Sequence, residues 1–571
     1  MKKSLHIFIV IFFLSFNGII IAAAQTFNIG DFSKPMQLPF NLAGTFGEPR
    51  PDHFHSGIDI KTNGVEGAPV IAIAAGFISR IRVSPYGYGK AIYVTHRNGY
   101  TSVYGHLSKF YGKIEQYIHT KHYAVQKSEL DITLDSTSFV LQQNDTIAFS
   151  GNTGGSAAPH LHFEIRNTQT EHALNPLDFY TKNFYVDTIA PQINSVKLYF
   201  FDTTSFYNSV AMEYSLVKQN GIYTTTTPIQ KLNYPMFAIS LEGFDKQDDS
   251  ENKNGIQKMS IFVKDSLVFQ YNLKDIDFNK TRMCNAFVDY DEMKKDNGYF
   301  YNGYQLKNNS LPFYLAGYNG FFDVHSSNFS ELKIQCFDYN NNKSEIQLNF
   351  KNRDNSLSKS SVVPNAKAIS KFIKTDNTDS LFAKNIKIKF SPNTFYDNAP
   401  LAISTIKKED DILSDKYTVG NLNGLIPLQK PAIITLVTSI KKLKNKMVFV
   451  RKDFNGKETA LKTTFNKSTF YTSTTALGTF YLKYDTVKPI VEKIEVLPET
   501  ISAHVIDTLS GVDIYNGYID NNWVNFYYDA KNDNLIYNID ERCTKGEHLL
   551  KLIVTDKVGN ENIILHKFIL P

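Results

Sequence analysis

The sequence predicts an all-β protein of several domains, and three observations carry that expectation. Aromatic residues make up 13% of the chain, with Phe and Tyr abundant, and aromatic side chains favour strands. Short alternating runs of polar and apolar residues recur throughout, whereas long amphipathic helical patterns are scarce. At 571 residues the chain has room for several cores of roughly 100–200 residues each.

The N-terminus reads as an export signal. Lys2 and Lys3 precede an apolar run from Ile7 to Ile21, and Ala22, Ala23 and Ala24 precede Gln25. A charged start, an apolar core and a small-residue cleavage site predict a signal peptide over residues 1–24. Asn17 and Gly18 interrupt the run, which favours cleavage over a retained anchor. No Cys follows the site, so lipidation is not expected, and no later stretch is apolar enough to span a bilayer. The expected location is therefore the periplasm, cell envelope or exterior, with no stable membrane span after cleavage. A formal net charge of +5 is small for this length and argues for no nucleic-acid partner. Cys284, Cys336 and Cys543 allow at most one intramolecular disulfide, and Cys284–Cys336 is the expected pair because both lie in one segment.

Chemistry concentrates in residues 25–184. From His160 the sequence His-Leu-His-Phe-Glu-Ile alternates as a strand, placing His160, His162 and Glu164 on one face and Leu161, Phe163 and Ile165 on the other. Pro159 suits the first position of such a strand. Upstream, His55 and Asp59 supply an imidazole and a carboxylate four residues apart, and Tyr104-Gly105-His106-Leu107 lies between. A zinc hydrolase needs three ligands from His, Asp, Glu and Cys with one open position, and nearby groups to take a proton or steady an oxyanion. His55, Asp59 and His162 can be the ligands, which leaves His106 and His160 beside the water. No Cys lies near these motifs.

In order along the chain, Thr45-Phe-Gly47, His55-x3-Asp59, Gly87-Tyr-Gly89, Tyr104-Gly-His106-Leu, Gly151-Asn-Thr-Gly154, Pro159-His160-Leu-His162 and Asn175-Pro176 resemble the M23 family of zinc metallopeptidases. That family includes the lysostaphin-type and LytM-type peptidoglycan endopeptidases. The resemblance runs from about Phe40 to Tyr180 and implies an antiparallel-sheet peptidase domain. It implies one zinc per chain on His55, Asp59 and His162, with His106 and His160 unligated and catalytic. It also implies peptide bonds of peptidoglycan stems or cross-bridges as substrate. Some family members have lost ligands and act only as activators. The alternative reading is therefore a non-hydrolytic envelope protein that binds peptidoglycan or activates another hydrolase. His53 does not fit the motif spacing and reads as a loop residue or a support behind the ligands, while Glu164 reads equally as an orienter of His162 or as a surface ion pair.

The remainder predicts β-rich accessory units. The stretch from about Tyr111 to Val140 is longer than in most of that family. His119 and His122 within it are too weak a pattern for a second metal site, so an ordinary surface insertion is expected. Asp187-Thr-Ile-Ala-Pro191 and Asp485-Thr-Val-Lys-Pro489 are near copies. Each opens a segment that ends in strand, Asp-rich turn and strand, at Asp338 to Asn342 and at Asp556 to Asn560, as in a hairpin. These features resemble immunoglobulin-like modules of bacterial surface proteins. Expected boundaries are 187–351 and 485–571 for the two copies and 355–484 for a β-rich unit between them, after a polar linker. The acidic loop from Asp245 to Glu251 lacks the spacing of a known calcium loop and is expected to be solvated. The accessory units are expected to contact other envelope proteins or the wall.

Overall fold

The computed structural model describes residues 31–351 and 371–570, apart from 249, 316, 318, 325–329, 422 and 441. The expected signal peptide and the polar linker from Asn355 lie outside the described residues. No helix among the described residues is long and apolar enough to cross a membrane.

Period-2 alternation in the first third builds one antiparallel sheet. The strands of its main path are β1 (Leu42–Gly44), β2 (Ile58–Lys61), β3 (Gly76–Val83), β4 (Lys90–His96), β5 (Tyr100–Leu107), β6 (Leu130–Thr133) and β7 (His160–Asn167). The spatial order is β1-β2-β7-β5-β4-β3-β6. β7 is thus central, flanked by the two strands that carry Asp59 and His106. Its Leu161, Phe163 and Ile165 are fully buried with Ile58, Ile60, Ile92 and Tyr104. Burial of that apolar face fixes the register, because a one-residue slip would turn it to the other side.

Helix α1 (Gly112–Val125) corrects the expected surface insertion. Ile114, Ile118 and His122, spaced at i,i+4, face the core, as an amphipathic helix requires. The opposite face meets the C-terminal unit. Tyr123 donates a hydrogen bond to Asp540, His119 Nε2 lies 3.2 Å from the same carboxylate, and the Arg542 guanidinium sits 3.5 Å from the Tyr123 ring centroid. Trp523, the only Trp, packs edge-on against Tyr123. The insertion is a docking element.

The next unit comprises β8 (Gln192–Phe201), β9 (Met236–Phe244), β10 (Lys258–Val263), β11 (Ser266–Asn272), β12 (Phe300–Asn302), β13 (Glu331–Phe337) and β14 (Lys343–Lys351). Strands β8, β9 and β12 pair in that order, and β11-β10-β13-β14 form the other group. An inserted hairpin, Val210–Gln219 with Ile222–Thr225, bridges the two groups. The last unit repeats the plan with β15 (Ile490–Val496), β16 (Thr500–Ile506), β17 (Val512–Ile519), β18 (Asn522–Val524), β19 (Tyr527–Asp529), β20 (Asn534–Asn538), β21 (Gly546–Asp556) and β22 (Glu561–Leu570). Its sheets run β15-β16-β20-β19 and β18-β17-β21-β22, the strand order of an immunoglobulin-type sandwich. Residues 371–484 form two further sheets around Phe390, Phe395, Phe449, Phe470 and Phe480.

Two expectations fail here. All three cysteines are free and buried, so no Cys284–Cys336 bridge forms. Cys284 sits in the turn Thr281–Ala286 with its thiol 3.6 Å from the Arg50 carbonyl, and Cys336 lies in the core shared with Ile334. Both act as small apolar residues. Asp245 is not solvated but buried at 3% exposure, because it follows β9 directly into the interior.

The first unit is welded to its neighbour. Phe46, Phe54 and Ala173 belong to the core of the 192–350 unit, and the Gln247 side chain spans the Leu42 amide (3.0 Å) and the Phe40 carbonyl (2.8 Å).

Candidate metal centre

Register brings the candidate ligands together. On β7, His162 stands opposite Asp59 of β2 and Gly105 of β5, and His55 precedes β2 on the loop after His53–Phe54. His55 Nε2, Asp59 Oδ1 and His162 Nδ1 converge, at 3.0 Å for His55–Asp59, 2.9 Å for His162–Asp59 and 3.1 Å for His55–His162. All three residues are buried.

The far side of each ring decides what the near side presents. His55 Nδ1 lies 2.7 Å from the Thr45 carbonyl, which can only accept, so a neutral His55 turns a bare Nε2 inward. His162 Nε2 lies 2.8 Å from Glu164 Oε1, which leaves a neutral His162 with a bare Nδ1. Two lone pairs and a carboxylate oxygen then crowd one point with no donor between them. A cation relieves that crowding, and the residues fit one: two nitrogens and one oxygen are a zinc-type donor set.

Asp59 and His162 are charged in the absence of an ion. Burial opposes charge on both, but the facing histidines hold Asp59 well below the usual carboxylate range. Burial likewise lowers His162, yet Asp59 and Glu164 more than offset it and raise it to about 9. Burial brings His55 down to about 4. Metal binding therefore displaces a proton from His162. Asp59 Oδ2 is occupied separately by Arg50 Nη2 at 2.7 Å, which leaves Oδ1 for the metal.

Glu164 resolves to the orienting role. It is fully buried. Oε1 accepts from His162, from Ser56 Oγ (2.5 Å) and from Tyr88 OH (2.5 Å), while Oε2 accepts from Arg166 Nε (2.6 Å). Tyr88 also stacks on the His162 ring. The motifs do not single out Ser56, Tyr88, Arg166 or Arg50, although Arg166 continues the face of Glu164 at i+2 and Tyr88 lies in the Gly87-Tyr-Gly89 motif.

His106 and His160 flank the cluster without joining it, their ring centroids 4.8 Å apart. His106 adopts φ +59°, a conformation rare for a residue with a side chain. It is held there by its amide bond to the Tyr88 carbonyl (2.8 Å) and by Nδ1 on the Thr153 carbonyl (2.8 Å). Burial, with His162 and His160 nearby, lowers its pKa to about 3. His160 Nδ1 lies 2.8 Å from the Ala158 carbonyl. Its buried Nε2 has no hydrogen-bond partner and sits 3.3 Å from Asp59 Oδ1. Each ring thus offers a bare Nε2. His53 lies outside, its Nδ1 on the Pro51 carbonyl at 3.0 Å.

The loop that anchors these two rings is clamped from both sides. Gly154 (φ +72°) presses on the Gly87–Gly89 turn so closely that a Cβ would meet the Gly87 carbonyl at 2.4 Å. From the C-terminal unit, Lys531 Nζ donates to the carbonyls of Asn152 and Ser156, and Tyr527 OH accepts from the Gly154 amide.

Residues 53–124 match the model of Peptidase family M23, and residues 370–485 match that of the Zu5-like domain. The first match holds His55, Asp59 and His106; His160 and His162 lie beyond it. An "Uncharacterized metalloprotease" of Haemophilus influenzae is 32% identical over 123 residues, 22% of this chain and 20% of that protein. The "DD-carboxypeptidase/endopeptidase Mpg" of Neisseria meningitidis serogroup B is 32% identical over 112 residues, 20% of each. Among solved structures, the catalytic domain of the antimicrobial peptidase lysostaphin from Staphylococcus simulans matches at 27% identity and TM-score 0.18, covering 24% of this chain and 87% of that one. The chain spans about a fifth of the length of these curated relatives. With the family-model match over residues 53–124 lying on the sheet that gathers His55, Asp59 and His106, the chain carries a domain of peptidase family M23 in its N-terminal third, and a region matching the Zu5-like domain follows at 370–485.

Proposed function

We propose that the chain is an exported zinc-dependent endopeptidase that hydrolyses peptide bonds in peptidoglycan stems or cross-bridges. The observation that carries this reading is the convergence of His55 Nε2, Asp59 Oδ1 and His162 Nδ1 within 3.1 Å of one another. The family match and the endopeptidase name of the Neisseria relative support the reaction class. The complete ligand set weighs against the alternative of a non-hydrolytic binder or activator.

His55, Asp59 and His162 would hold the metal. A bound zinc would supply Lewis acidity, lowering the pKa of a bound water towards ~7 and polarising a carbonyl. The chain's own contribution is proton handling. With Nδ1 anchored on a backbone carbonyl, His106 and His160 each keep Nε2 free to take a proton from an attacking water. Once protonated, either ring can donate to the oxyanion or to the departing amine. Arg50 and Glu164 act on geometry, holding Asp59 and His162 at their outer atoms.

The experiment incubates the full mature chain with purified peptidoglycan, with zinc and after chelation, and identifies soluble fragments by mass spectrometry. New amino and carboxyl termini within stems or bridges, only in the zinc arm, are expected. Zinc-loaded protein that releases nothing would overturn the proposal.

A further inference from the structure

Two carboxylate clusters lie outside the metal centre, the first wholly buried and the second buried except for a partly exposed Asp507. Asp187, Asp245 and Asp338 bring one oxygen each within 4.8 Å of one another, and so do Asp485, Asp507 and Asp556. The sets occupy the same three points of two like units. Asp187 and Asp485 stand on the segments entering β8 and β15. Asp245 and Asp507 directly follow β9 and β16, while Asp338 follows β13 and Asp556 ends β21. Their hydrogen bonds repeat as well. Asn342 Nδ2 donates to Asp338 Oδ2 (2.6 Å) and the Asp187 carbonyl (2.9 Å). Asn560 Nδ2 donates to Asp556 Oδ2 (2.7 Å) and the Asp485 carbonyl (2.9 Å).

One atom in the first set points to a missing ligand. Asp245 is 3% exposed and its Oδ1 has no hydrogen-bond partner, although that side chain is aimed at two further carboxylates. The charged groups facing it are Asp187 and Asp338, both of its own sign. A buried carboxylate oxygen without a donor is costly. In the second set Asp507 Oδ2 is likewise unpartnered, while its Oδ1 accepts from the Leu509 (3.1 Å) and Gly511 (2.6 Å) amides.

We propose that each triad is a calcium site, one at the entrance to each immunoglobulin-type unit. All-oxygen donors on turns suit calcium, which takes about 6–8 oxygens in adaptable geometry. Zinc prefers nitrogen and sulfur donors, and magnesium demands a near-octahedral cage. The rival occupant is a proton. Without a cation, burial together with Asp187 and Asp338 pushes Asp245 up to about 9, so the two compete for the same oxygen.

Placement gives the sites a purpose. Asn340 Nδ2 ties the Tyr185 carbonyl (3.3 Å) and the Asp187 carbonyl (3.1 Å) to the turn beside Asp338. At the second site the Asp485 amide bonds the Lys446 carbonyl (2.8 Å), and Lys446 Nζ bonds the Val558 carbonyl (2.9 Å). Calcium at both points locks the angle at which one unit hands over to the next.

The test uses the full zinc-loaded chain, dialysed against EGTA-buffered calcium and analysed by mass spectrometry for bound metal. About two calcium ions per chain are expected, with a thermal midpoint several degrees higher than in EGTA. Asp245→Asn and Asp507→Asn, which preserve side-chain volume, should each retain one calcium, and the double variant none. Terbium offers a reading that needs no acidic variant. Tyr185 OH lies 3.3 Å from Asp187 Oδ2, so terbium luminescence excited through tyrosine should fall in Tyr185→Phe. A wild-type chain that takes up no calcium at millimolar concentration overturns the proposal, as does a double variant that keeps both ions.

Discussion

Glu164 Oε1 and His162 Nε2 lie 2.8 Å apart on one face of β7, with Arg166 holding the other carboxylate oxygen. That contact leaves His162 Nδ1 directed at Asp59. Removing its charge with Glu164→Gln should weaken zinc binding roughly 10–100-fold without removing a ligand. Tyr88→Phe, which deletes one donor to Glu164, should act in the same direction and less. Asp59→Ala and His162→Ala should lose metal and activity together. Zinc titration of the four variants checks the order, and unaltered affinity in Glu164→Gln would contradict it.

His106 and His160 should separate from the ligands. His106→Ala and His160→Ala are expected to bind zinc normally and to lose about 100-fold or more in rate, the usual effect of removing a base or an oxyanion donor. Metal analysis alongside steady-state kinetics makes the distinction. Loss of zinc in either variant would show that the roles are exchanged.

Lys531 reaches from the C-terminal unit to the carbonyls of Asn152 and Ser156, whose loop carries the Thr153 carbonyl under His106. Ser156 Oγ also lies 3.2 Å from His160 Nδ1. Lys531→Ala should therefore loosen both rings and lower kcat on a small soluble peptide roughly tenfold with zinc content unchanged. A rate increase would mean that this contact restrains the site instead.

His96 and His122 tie the stability of the peptidase sheet to pH. Burial holds each at about 4 in the folded chain, against 6.5 for an ordinary histidine. Between those values the unfolded chain binds more protons, so stability is fully present above pH 6.5 and falls as the pH drops towards 4. The slope is at most about 1.4 kcal/mol per pH unit for each histidine. Thermal midpoints at pH 7.5, 6 and 5 should fall less steeply in His96→Gln than in the parent chain. Parallel curves would remove His96 from the account.

Local patterns were legible in the sequence, and long-range ones were not. The alternation of His160, Leu161, His162 and Phe163 announces both a strand and its faces, since a period of two needs no partner. His55, Asp59 and His106 were legible as motifs of fixed spacing. Arg166 follows Glu164 at i+2 on the same face of β7, a contact that period-two spacing encodes, whereas Ser56 and Tyr88 reach Glu164 only through strand pairing and packing, which no spacing encodes. The same limit hid the docking of His119 and Tyr123 on Asp540, hundreds of positions away. Cys284 and Cys336 share a segment and even one core, yet nearness in sequence does not bring two thiols into contact. Asp245 read as solvated because its loop is acidic, but strand β9 carries it inside.

His55, Asp59 and His162 are expected to be the side chains that hold the catalytic metal. Anomalous diffraction from crystals of the zinc-loaded chain, collected on either side of the zinc absorption edge, tests this most directly. One strong peak is expected, bounded by His55 Nε2, Asp59 Oδ1 and His162 Nδ1, with His106 and His160 outside the coordination sphere. A peak ligated by His106 or His160, or no peak at this cluster, would contradict it.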